Sequence, residues 1–96
     1  MKQALQNILL IEDDEAHAEI FIFYAQRFDP DLKVTHLPDG EAAFRYLDQL
    51  DEDPSTHPDL VVLDLNLPRY SGLEVLQRIK EDVKARRIPV VILSSS

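Results

Sequence analysis

Glu12, Asp13, Asp64, Asn66 and Ser94 are the residues of this chain whose types and placement could act together on a charged group. Each stands at or just beyond the end of a short apolar run. Ile8-Leu9-Leu10-Ile11 runs into Glu12-Asp13-Asp14-Glu15, Leu60-Val61-Val62-Leu63 into Asp64, and Val90-Val91-Ile92-Leu93 into Ser94-Ser95-Ser96. Carboxylates brought close repel one another unless a hard cation sits between them. Oxygen ligands with water positions left over suit Mg²⁺ or Mn²⁺, and the backbone carbonyl of Asn66 would add a further oxygen. A carboxylate beside such a cation, with a hydroxyl opposite, can accept a phosphoryl group as an acyl phosphate. Ser94 would then hydrogen-bond to a phosphoryl oxygen. A lone aspartate after a strand more often caps a helix or sits in a loop. The chemistry therefore depends on whether the fold gathers these residues.

The apolar runs are short, continuous and separated by helical patterns, which is the signature of parallel strands buried on both faces. Residues at their carboxyl ends lie where open α/β sheets place ligand sites. The spacing predicts a helix over 14–28, with acids in its first turn to complement the dipole. Its six consecutive residues Ile20 to Ala25 exceed any single amphipathic face, so burial on two sides is expected, with partner docking as the alternative. Asp29-Pro30-Asp31 ends it. Lys33–Leu37, more polar and followed by Pro38, reads as an edge strand. A helix over about 40–50 carries the stripe Ala43, Leu47 and Leu50. Residues 51–58 form a long polar loop. Ser71 and Glu74 make an S-x-x-E capping box that starts a third helix, with Leu76, Ile79 and Val83 as its expected buried stripe. Lys84, Arg86 and Arg87 are placed near its carboxyl end, where they complement the dipole, and Pro89 stops it. The order β-α-β-α-β-α-β calls for right-handed crossovers. With the edge strand outermost, the spatial order becomes 2-1-3-4, an α/β flavodoxin-like sheet. In that order Glu12, Asp13, Asp64 and Ser94 meet at one sheet edge.

Composition narrows the function classes. Ninety-six residues with 45% hydrophobic and 29% charged content suit one globular domain. No stretch approaches a membrane span and no signal-peptide pattern opens the chain. The absence of cysteine excludes disulfides and thiolate metal sites and fits a cytoplasmic setting. A net charge of −8 argues against direct nucleic-acid binding by this segment.

Ile11-Glu12-Asp13-Asp14, Leu63-Asp64-Leu65-Asn66-Leu67-Pro68 with Gly72, and Ile88-Pro89-Val90 through Leu93-Ser94 resemble the receiver domains of two-component response regulators. The resemblance covers the whole of residues 1–96. It implies that Asp64 is the phosphoacceptor, that Asp13 is a direct Mg²⁺ ligand, and that Glu12 acts directly or through water. Asn66 would supply its backbone carbonyl, and Ser94 the hydroxyl that follows the phosphoryl group. The extended loop before the third strand and the Asp-Leu-Asn-Leu-Pro-Arg wording are similar to stand-alone receivers of bacterial phytochrome kinases. The implied partners are a sensor histidine kinase or phosphotransfer protein and a downstream protein target.

This sequence also departs from the family pattern. The fourth helix, the fifth strand with its phosphoryl-pairing lysine and aromatic switch residue, and the fifth helix have no counterpart here. Lys84, Arg86 and Arg87 cannot replace that lysine, since their helix end lies at the opposite sheet edge. The expectation is therefore a receiver incomplete at its C-terminus: a piece of a longer chain, or a protomer completed by a second copy in a homodimer. The fourth strand would be left as a bare apolar edge. There are two rival readings. One is a pseudo-receiver or assembly module without phosphotransfer. The other is an aspartyl-phosphate hydrolase, disfavoured because Asn66 occupies the place of its general acid. His17, His36 and His57 lack ligand spacing and are assigned no metal role, and His17 reads as a surface or helix-packing residue. Arg69 and Tyr70 read as exposed turn residues, and the size of Ser95 as a tuner of access to Asp64.

Overall fold

The computed structural model describes residues 5–68 and 70–93. In chain order the elements are β1 (Asn7–Ile11), α1 (Glu15–Phe28), β2 (Lys33–Leu37), α2 (Gly40–Asp48), a single 3-10 turn (Pro54–Thr56), β3 (Leu60–Asp64), α3 (Gly72–Glu81) and β4 (Val90–Leu93). The strands are all parallel, in the order β2-β1-β3-β4. This is the flavodoxin-like arrangement expected from the sequence, with β2 on the edge. Neither the fifth strand nor the later helices of a complete receiver occur among the described residues.

Alternation along the strands divides the core in two. Leu9, Ile11, Val61 and Leu63 face one way and pack with Ala43 and Leu47 of α2 and Val75 and Ile79 of α3. Ile8, Leu10 and Val62 face the other way and meet Ala18 of α1, with Phe21, Ile22 and Ala25 packed alongside. Residues 18, 21, 22 and 25 form one stripe at helical spacing, so α1 buries a single face. Burial of that helix on two sides does not hold: Ile20, Phe23 and Tyr24 are exposed. Among the described residues, two helices cover one side of the sheet and one helix the other. On β4, an edge strand among the described residues, Val91 and Ile92 are 47% and 38% exposed.

Helix ends follow local chemistry. Asp14 caps α1, its Oδ1 accepting from the backbone N–H groups of Ala16 and His17 at 2.9 and 3.2 Å. Asp39 caps α2 through Ala42 N–H at 2.8 Å. The Ser71–Glu74 capping box is present in both directions. The far end of α3 corrects the sequence reading. Asp82 ends the helix, and its Oδ1 accepts from Lys84 and Ala85 N–H at 2.7 and 3.1 Å, opening a new turn. Val83 is thereby turned out to 78% exposure, while Ala85 and Ile88 enter the core in its place. Lys84, Arg86 and Arg87 follow the last residue of the helix, Glu81, by three to six positions. Lys84 instead donates to the Leu50 carbonyl, just beyond α2, at 3.0 Å.

Long-range polar contacts tie the layers together. At the starting edge of the sheet, Asp59 Oδ2 accepts from the backbone N–H groups of Gln6 and Asn7, both at 2.9 Å. The 51–58 loop is ordered by its 3-10 turn and by His57, which is buried and contacts the Asp51 carbonyl through Nε2 at 2.6 Å. Arg78 joins α3 to α2 through Asp48 at 2.6 Å. Tyr70, 41% exposed, meets Phe44 of α2 edge-on with ring centroids 4.6 Å apart.

Gly72 sets how closely α3 can approach the end of β3. It is the first residue of α3, and a Cβ there would collide with Leu65 Cα and lie 2.7 Å from the Asp64 carbonyl oxygen. Its N–H donates to the Leu65 carbonyl at 3.0 Å. An exposed helical glycine gains stability on change to alanine, but here the neighbouring atoms are backbone and cannot yield. Gly72→Ala is expected to lower the unfolding free energy by about 1–3 kcal/mol, the usual range for overpacking. Urea unfolding measures this, and a neutral or stabilised variant would show that the close approach is not real.

Candidate metal centre

The three strongest candidates from the sequence converge. Carboxylate oxygens of Glu12, Asp13 and Asp64 all lie within 4.8 Å of one another. The sheet register explains why. Ile11 of β1 pairs with Leu63 of β3, so Glu12 and Asp64 leave neighbouring strands at the same level. Asp64 in turn is paired with Leu93, the last residue of β4. Ser94 lies outside the described residues, as do Arg69 and Ser95.

Each acid is held differently. Glu12 is buried, with 4% of its surface exposed, and so is Asp64 at 4%, whereas Asp13 is open to solvent. Glu12 Oε2 accepts from the Asp14 backbone N–H at 3.1 Å, folding the side chain back over the entry to α1. Asp64 Oδ1 accepts from the Asn66 backbone N–H at 2.9 Å, which fixes the turn after β3. His17 Nδ1 stands 3.8 Å from Glu12 Oε2 and 3.7 Å from Asp14 Oδ2 at the rim. His17 is thus the surface residue that the sequence suggested, 63% exposed and set beside the acids. His36 is drawn in too. Its Nε2 lies 2.6 Å from the Glu12 carbonyl oxygen, a link that no spacing in the sequence indicated.

The electrostatics follow from this crowding. Burial pushes the Glu12 carboxyl above its ordinary range, and the neighbouring Asp64 adds to the shift through repulsion and a side-chain hydrogen bond. The Asp14 N–H and His17 act against it. A raised folded-state pKa means that ionised Glu12 opposes folding. That cost is absent below the ordinary carboxyl range and fully present above the raised value. A divalent cation among the acids would reverse its sign. Two buried carboxylates and one exposed carboxylate, all oxygen ligands, suit a hard ion that keeps part of its water shell, as Mg²⁺ and Mn²⁺ do.

The likenesses to known proteins agree with this geometry. Response regulator Rcp1 of Synechocystis is 41% identical over 90 residues, which cover 93% of this chain and 61% of that protein. The phosphorylated cyanobacterial phytochrome response regulator RcpA superposes with a TM-score of 0.83 at 40% identity, covering 97% of this chain and 67% of that one. The Mn²⁺-bound form of Rcp1 gives 0.82 at 39% identity, covering 95% and 66%. The chain spans about three fifths of the length of the curated relatives it matches. Residues 8–96 match the response regulator receiver domain, and the chain belongs to that family of two-component signalling modules.

Proposed function

We propose that this chain is a phosphoacceptor module in which Asp64 takes a phosphoryl group in a Mg²⁺-dependent reaction. The observation that carries the reading is the gathering of Glu12, Asp13 and Asp64 within 4.8 Å at the carboxyl ends of β1 and β3. Glu12 and Asp13 would hold the cation with Asp64 and the backbone carbonyl of Asn66. When bound, the ion offsets charge on the acids and on the incoming phosphoryl oxygens. The donor is a phosphohistidine of a sensor kinase or phosphotransfer protein, or a small acyl phosphate. A carboxylate oxygen of Asp64 attacks phosphorus in line. The bond from phosphorus to the donor nitrogen or oxygen breaks, and the electron pair leaves with the donor. The Asn66 N–H on Oδ1 keeps the Asp64 carboxylate oriented for that attack. Ser94, next in the chain after β4, supplies the hydroxyl that follows the phosphoryl group.

The phosphorylated form would shift a population between two surfaces in the cytoplasm, which a downstream protein reads. Turnover of an outside substrate is disfavoured. The residue two places after Asp64 is Asn66, whose side chain cannot act as the general acid of an aspartyl-phosphate hydrolase.

Incubation with Mg²⁺ and acetyl phosphate is expected to add one phosphoryl group by intact mass. Asp64→Asn is expected to gain none. An unmodified wild-type chain would instead favour a receiver-like assembly module. Mg²⁺ alone should also stabilise the fold, by about 2.7 kcal/mol at a concentration one hundred times its dissociation constant. Thermal unfolding of Asp13→Asn with and without Mg²⁺ checks this. A full Mg²⁺ increment in that variant would remove Asp13 from the site.

A further inference from the structure

We propose that His36 is a positioning residue for the cation site, acting through the main chain of Glu12. The inference rests on the reading that the three acids hold a divalent cation. Glu12 lies just past the end of β1, where regular pairing stops, yet its backbone is held on both sides by the edge strand β2. Its N–H donates to the Leu37 carbonyl at 3.0 Å. Its carbonyl is 2.6 Å from His36 Nε2. A carbonyl can only accept, so Nε2 carries the hydrogen and donates, and it keeps that hydrogen in either charge state of the ring.

The consequence is geometric. Peptide units are planar, so the Leu37 contact fixes the plane before Glu12 and the His36 contact fixes the plane after it. Together they restrain both backbone dihedrals of Glu12 and hence the direction in which its Cα–Cβ bond leaves the chain. The second plane also contains the Asp13 nitrogen. Its orientation therefore sets where the Asp13 Cα is placed, and the exposed Asp13 side chain makes no hydrogen bond or ion pair of its own among the described residues. Asp14, the next residue, is already committed to capping α1. His36 thus closes a frame of β2, Glu12 and α1 around the one acid that protrudes. Groups that orient ligands without touching the ion typically change metal affinity by about 10- to 100-fold when removed.

The test is Mn²⁺ titration of the protein by calorimetry, with thermal unfolding in parallel. His36→Phe keeps the ring shape but has no donor, and its Mn²⁺ dissociation constant is expected to rise about 10-fold or more. His36→Gln restores an N–H donor and is expected to recover most of the affinity. Ile79→Val, a buried change on the far side of the sheet, serves as a destabilised control and should bind Mn²⁺ as the parent does. Equal affinity in His36→Phe and parent would overturn the proposal. Equal weakness in the Phe and Gln variants would overturn the donor role. A parent chain that binds no Mn²⁺ would overturn the cation site itself, a result distinct from either.

Discussion

Carboxylates crowded at the ends of two adjacent strands are the constraint on which the other features depend. Glu12 and Asp64 are buried next to each other, and burying like charges opposes folding unless something compensates. The surrounding structure supplies the compensation in pieces. Asp14 and Asn66 each turn a backbone N–H onto one carboxylate, His17 stands at the rim, and β2 grips the Glu12 backbone. The two hydrophobic half-cores hold the strands in the register that makes the crowding unavoidable. Folding thus carries a local electrostatic cost at the strand ends.

Much of this was legible in the residue pattern. Strands of four or five apolar residues, bounded by acids or prolines and separated by helical periods, have little choice but a parallel sheet. Strand order then follows from the polar character of Lys33–Leu37. The convergence of Glu12, Asp13 and Asp64 followed from that order, because the carboxyl ends of neighbouring parallel strands lie level. The Ser71–Glu74 box was visible because both halves of a cap are local in sequence.

What escaped the sequence was either nonlocal or a contest between local rules. His36 and His57 serve backbone carbonyls brought to them by the fold, and an isolated histidine carries no mark of that role. At Asp82, the periodicity favoured continuing the helix to Val83. The aspartate side chain instead captured the Lys84 and Ala85 N–H groups, an alternative that competes directly with helical bonding. Ala85 and Ile88 then filled the core. The breadth of apolar residues in α1 misleads for another reason: composition reports how many residues are apolar, and only the stripe at 18, 21, 22 and 25 tells which are covered.

The seat of Gly72 on the backbone of Asp64 and Leu65 has a mechanical consequence. With no side chain between them, the first turn of α3 rests directly on the peptide carbonyl of the acidic strand end. There is no compliant layer to absorb a displacement. What stands on that contact is α3, a rod about 15 Å long. The rod's far half carries Arg78, which grips Asp48 at the end of α2. The acidic strand end, α3 and α2 are therefore joined in series, through one missing Cβ at Gly72 and the Arg78–Asp48 pair.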